Sequence, residues 1–141
     1  MRDLEAIAGA LRRLLPQGDR ITGLAPLTTG FSNETYRVEP LDLILRLPPA
    51  AGAMLDGHGV VAQARIYEEL GARSDAPPVP EIVAICEHVP ELGEPLFVMQ
   101  RVRGEAIDDI EMRPWFVEGS EALRAEICRN WVAAFAGLAH L

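Results

Sequence analysis

Thr28-Thr29-Gly30-Phe31-Ser32 puts three hydroxyls and the only glycine between Leu24 and Gly52 into one short turn. If the backbone N–H groups of Gly30, Phe31 and Ser32 point inward together, they form a nest for an anion. The hydroxyls of Thr28, Thr29 and Ser32 would add further donors to phosphate oxygens. The same residues also suit an ordinary hairpin turn, with Gly30 at positive φ and Asn33 as its cap. Apolar, β-forming residues lie on both sides. A Walker loop or a Rossmann turn would instead lead from a strand into a helix. Other reactive side chains lack motif partners. Cys86 and His88 alternate as C-x-H without a second ligand pair, so a zinc site is not indicated. His58 and His140 have no nucleophile or carboxylate at triad spacing. Asp108, Asp109 and Glu111 form an acidic loop, usually a solvated feature.

The elements that would carry these residues follow from periodicity. Leu4, Ile7, Ala8, Leu11, Leu14 and Leu15 recur at helical spacing, and Pro16 with Gly18 ends the run. Strands are expected at 21–27, through Thr35, Tyr36 and Val38, at 41–47, 82–86 and 96–102. In the third, Leu43, Leu45 and Leu47 share one face, while Asp42, Ile44 and Arg46 share the other. A helix over 60–70 places Gln63, Ile66, Tyr67 and Leu70 on its apolar side. A buried glutamine there needs polar partners. A short helix is expected from Pro114 and a long one over 118–141. The latter bears an apolar stripe of Leu123, Ile127, Trp131, Phe135 and Leu138, which predicts a homodimer through that helix.

The 141 residues suit one ordinary core. A net charge of −8 argues against nucleic acid, which would call for a basic stripe. Acidic residues Asp3 and Glu5 stand where a signal peptide needs positive charge, and no apolar run approaches ~20 residues. A cytoplasmic protein without membrane contact is expected, its two cysteines buried and reduced.

The run Gly30-Phe31-Ser32-Asn33-Glu34-Thr35-Tyr36-Arg37-Val38, then Leu45-Arg46-Leu47-Pro48-Pro49, resembles the aminoglycoside phosphotransferase and choline kinase-like family of small-molecule kinases. The resemblance is greatest to the branch found beside acyl-CoA dehydrogenases, with its G-F-S-N-x-T-Y-x-V and L-R-x-P-P patterns. Pro78-Val79-Pro80, Leu92 to Met99 and Gly104 follow in the same order, so it covers most of the chain. It implies an α+β fold: a protein-kinase-like small lobe of five antiparallel strands with one inserted helix and an N-terminal cover helix. That lobe would occupy 1–102. A hinge and the first helices of a large lobe, truncated, would occupy 103–141.

The resemblance also assigns roles. Thr28, Thr29, Gly30, Phe31 and Ser32 would cover the phosphates of ATP. Arg46 would be the phosphate-contacting cation of the third strand, a task its planar fork suits. Gln63 stands where the family has glutamate, so its contact to Arg46 would be a neutral hydrogen bond, not an ion pair. Backbone groups around Met99, Gln100 and Val102 would meet the adenine edge, with Leu27, Val38 and Met99 as apolar walls. The family's H-G-D-x-x-x-x-N loop and its later metal-binding aspartate do not occur in these 141 residues. The expectation is therefore the N-terminal part of an ATP-dependent phosphotransferase acting on a small-molecule hydroxyl, inactive by itself. Mg²⁺ and the acceptor would be handled only in a full-length parent. The alternative is a non-catalytic nucleotide-binding or interaction module derived from the same fold.

Overall fold

The computed structural model describes residues 2–27, 33–50, 59–105 and 112–139. Its contacts divide the chain into two units, Met1–Ala72 with Val79–Arg101, and Arg73–Pro78 with Val102–Leu141.

The first unit opens with helix α1, Leu4–Leu14. Asp3 caps it, its carboxylate accepting from the Glu5 and Ala6 amides at 3.1 and 3.0 Å and satisfying donors that have no partner inside the helix. Strands β1 (Gly23–Leu27), β2 (Glu34–Glu39), β3 (Leu43–Leu47), β4 (Ile82–Val89) and β5 (Glu94–Gln100) form one antiparallel sheet in the order β1-β2-β3-β5-β4. The β4–β5 turn closes with the Gly93 amide on the Val89 carbonyl at 2.8 Å. Gly93 has φ 68°, a conformation in which a side chain would be strained. Helix α2, Val60–Gly71, lies in sequence between β3 and β4.

Strand alternation divides the sheet between two cores. On one face Tyr36, Val38, Leu45, Leu47, Leu96 and Val98 pack with Ile7, Ala8 and Leu11 of α1. On the other, Phe97 packs with Val60 and Ala64 of α2, joined by Tyr67, Ile82, Ile85 and Met99. The interior strand β5 is buried on both faces, with Leu96, Phe97 and Val98 fully enclosed. That explains its continuous apolar run. Ile66 is a correction to the expected apolar side of α2. It is 57% exposed, because the helix packs through Val60, Ala64 and Tyr67.

The second unit holds helices α3 (Pro114–Val117) and α4 (Glu121–Leu138). The short helix expected from Pro114 and the long one after it both form, the latter beginning at Glu121 rather than 118. The Ser120 hydroxyl accepts from the Leu123 amide at 3.1 Å and starts α4 there. Arg124 Nη1 donates to the Val117 carbonyl at 3.1 Å and also to Gly119, which ties the joint. Trp131 and Phe135 stack on α4, rings 5.9 Å apart, and both are exposed. Among the described residues no helix is long and apolar enough to cross a membrane.

Candidate functional site

The site starts from β3. Leu45 and Leu47 point into the α1 core, so strand alternation turns Arg46 between them to the α2 face. Register places Arg46 opposite Thr35 of β2 and Phe97 of β5. On α2, Gln63 stands beside the buried Ala64, close enough to the sheet to be half-buried. The two meet: Arg46 Nη1 donates to Gln63 Oε1 at 2.9 Å.

Asn33, just before β2, joins from the same face. Its Nδ2 donates to the same Gln63 oxygen at 3.5 Å, a weak bond. On the other side of the amide, Gln63 Nε2 donates to the Tyr67 hydroxyl at 3.5 Å. Tyr67 is held edge-on to Phe97, with ring centroids 6.4 Å apart and planes at 88°. Orientation therefore passes along the cluster. The cation requires the oxygen of Gln63 to face it, and that oxygen in turn requires the amide nitrogen of Asn33.

Among the described residues, two polar atoms of this cluster, Arg46 Nε and Asn33 Oδ1, are buried without a hydrogen-bond partner. An unpaired buried donor on a cation is costly, on the order of 1–3 kcal/mol or more. The cluster thus presents one guanidinium donor and one amide acceptor that call for a further molecule. Gln63 is neutral, so within this cluster the positive charge of Arg46 is not balanced by a carboxylate.

Of the other residues expected to contact a cofactor, Thr28, Thr29, Gly30, Phe31 and Ser32 lie outside the described residues. Met99 lies on the Arg46 face, paired with Ile44 and Ile82. Gln100 ends β5 with its amide on the Glu81 carbonyl at 2.8 Å and its side chain on the Glu81 carboxylate at 2.9 Å. The Arg101 amide donates to Asp42 O at 3.2 Å, and Val102 beyond it is 68% exposed. Val38 is a correction. It is fully buried in the α1 core, on the face opposite Met99, so it cannot form a wall with it. Leu27, opposite Thr35, does share the Arg46 face, and so does Ile44. Asn33 was missed because a polar residue after a glycine turn reads as a cap. Ile44 was detectable from its two-residue spacing to Arg46. His58, Asp108, Asp109, Glu111 and His140 also lie outside the described residues. Cys86 directs its thiol to the His88 carbonyl at 3.2 Å, and the expected burial of both cysteines is corrected, because Cys86 is only half-buried and Cys128 on α4 is exposed.

A family model described as the phosphotransferase enzyme family matches residues 23–141. Among solved structures, the chain is similar to the aminoglycoside phosphotransferase APH(2'')-Ib in its ADP-bound form. Identity is 15% and the TM-score 0.51, over 86% of this chain and 34% of that one. It is also similar to a protein of Ralstonia eutropha JMP134 assigned as an aminoglycoside phosphotransferase. There identity is 23% and the TM-score 0.48, over 74% of this chain and 29% of that one. The chain thus spans about a third of the length of these two structures. No curated protein matches it. The five-stranded sheet and its helices have the kinase-like fold of the N-terminal portion of such enzymes. With a family match that runs from β1 to the last residue, the chain belongs to the phosphotransferase enzyme family.

Proposed function

We propose that this chain is the nucleotide-facing part of an ATP-dependent phosphotransferase that acts on a small-molecule hydroxyl, of the branch found beside acyl-CoA dehydrogenases. The observation that carries the reading is the Arg46–Gln63 contact between β3 and α2, with Arg46 Nε buried and unpaired beside it. A phosphate oxygen is a fitting partner for that donor, because guanidinium–phosphate bonds are charge-assisted. Asn33 Oδ1 would keep a water donor alongside. ATP supplies the phosphoryl group, and the residues of this chain bind and orient its phosphates. Arg46 draws the charge, Gln63 fixes the guanidinium plane, and Leu27, Ile44 and Met99 offer an apolar surface on the same face. Among the described residues no group of three His, Cys, Asp or Glu could hold a metal ion. In this reading Mg²⁺ and the acceptor hydroxyl are handled in a full-length parent, where the resemblance places the H-G-D-x-x-x-x-N loop and the later aspartate.

Titration calorimetry with ATP, with and without Mg²⁺, tests the reading on wild type and Arg46→Ala. Weak binding that changes little with Mg²⁺ and falls about tenfold or more in Arg46→Ala is expected, the loss of one charge-assisted contact. Equal affinity in both proteins would refute it.

A further inference from the structure

On the opposite face of the sheet from Arg46, behind the same strand ends, lies a second arginine that the proposed site does not use. Arg2 Nε donates to Glu34 Oε2 at 2.5 Å, Nη1 to Glu94 Oε1, and Nη2 to the Pro48 carbonyl at 2.5 Å. Glu34 begins β2, Pro48 follows β3, and Glu94 begins β5, so one guanidinium grips three adjacent strands. Its side chain is only 14% exposed. Glu34 is further engaged by the Tyr36 hydroxyl and the Ala50 amide, each at 2.8 Å.

These contacts do what the ladder cannot. Pro48 and Pro49 have no N–H, so the chain leaving β3 donates no ladder bond at these two residues just after Arg46. Arg2 holds the Pro48 carbonyl instead, and Glu34 holds the Ala50 amide. Glu34 is also the residue after Asn33 and pairs with Leu47, the residue after Arg46. The β2 and β3 segments that carry Asn33 and Arg46 are therefore anchored from behind within two residues. Burial works against the Glu34 carboxylate, but the bonds from Tyr36, Ala50 and Arg2 outweigh it and hold the carboxyl below its ordinary range. The clamp stays charged near neutral pH.

We infer that Arg2 is a positioning residue, which sets the geometry of the Arg46–Gln63–Asn33 cluster through the sheet and thereby its affinity for phosphate. This rests on the phosphate reading above, and the test separates the two. Inorganic tripolyphosphate is titrated into the whole chain, and the side-chain N–H signals of Arg46, Gln63 and Asn33 are followed in ¹⁵N spectra. Arg46→Ala reports the site. Arg13→Ala, which removes an exposed pair with Glu91 elsewhere on α1, serves as the control. Arg2→Ala is expected to bind about tenfold more weakly, because a displaced Arg46 would meet the anion at poorer hydrogen-bond geometry. It should also shift all three side-chain signals, while Arg13→Ala does neither. Arg2→Lys should recover only part, because one ammonium nitrogen cannot span acceptors that three separate guanidinium nitrogens reach. If Arg2→Ala does not fold, Glu94→Gln, which leaves Arg2 in place and weakens one anchor, should still shift the signals and reduce binding. An Arg2→Ala protein within about twofold of wild type, with unmoved signals and a defective Arg46→Ala, would overturn the inference and leave the phosphate site standing. If wild type and Arg46→Ala bind equally, the phosphate reading fails. The link through the sheet then stands if the signals shift and falls if they do not.

Discussion

Gln63→Glu turns the neutral half of the central contact into a charged one, and the structure sets both sign and size. Three groups face the Gln63 amide: Arg46 Nη1 at 2.9 Å, Asn33 Nδ2 at 3.5 Å and the Tyr67 hydroxyl at 3.5 Å. All three can donate, so a carboxylate would find no acceptor opposing it. A charge-assisted hydrogen bond contributes roughly 1.5–3 kcal/mol against about 1 for a neutral one. Part of that gain is lost to desolvation of a half-buried carboxylate. A net gain of about 1 kcal/mol remains, which raises the melting temperature of a domain this size by roughly 4 °C. The same charge should weaken anion binding. At roughly 7 Å from a phosphate and an effective dielectric constant of about 20–40, it costs on the order of 1–2 kcal/mol, or roughly five- to thirtyfold in affinity. Thermal unfolding and tripolyphosphate titration of the same variant would therefore move in opposite directions. A clear fall in melting temperature would mean that Gln63 does not face the cation. Unchanged anion affinity would mean that Arg46 is not the phosphate contact.

Two further outcomes follow from the sheet. Glu34 has its carboxyl held below the ordinary 4.5, so the stability it contributes is present above that value and is lost as the pH falls through its folded-state value. Urea midpoints between pH 7 and 3 should fall less in Glu34→Gln than in wild type, and parallel curves would refute the assignment. Phe97 is fully buried and meets Tyr67 edge-on. Phe97→Ala should cost about 3–5 kcal/mol in urea unfolding and loosen α2, whereas a loss under about 1 kcal/mol would place Phe97 outside the core.

Local pattern was enough for much of this protein. The two-residue period of β3 set Leu43, Leu45 and Leu47 against Ile44 and Arg46, and the chain obeys it. The glutamine on α2 called for a polar partner, and Arg46 is one. The ordered motifs pointed to the family, and the family match agrees. Three matters were settled only in the folded chain. Val38 reads locally as an apolar strand residue, but which core it enters depends on the helix that covers that face of the sheet. Ile66 is apolar at helical spacing yet exposed, because α2 packs on the sheet through Val60, Ala64 and Tyr67. Arg2 gives no signal at all, since its partners lie 32, 46 and 92 residues away. Periodicity reports which side chains share a face of one element. Only assembly of the strands decides which distant charges meet, because that depends on strand order and register.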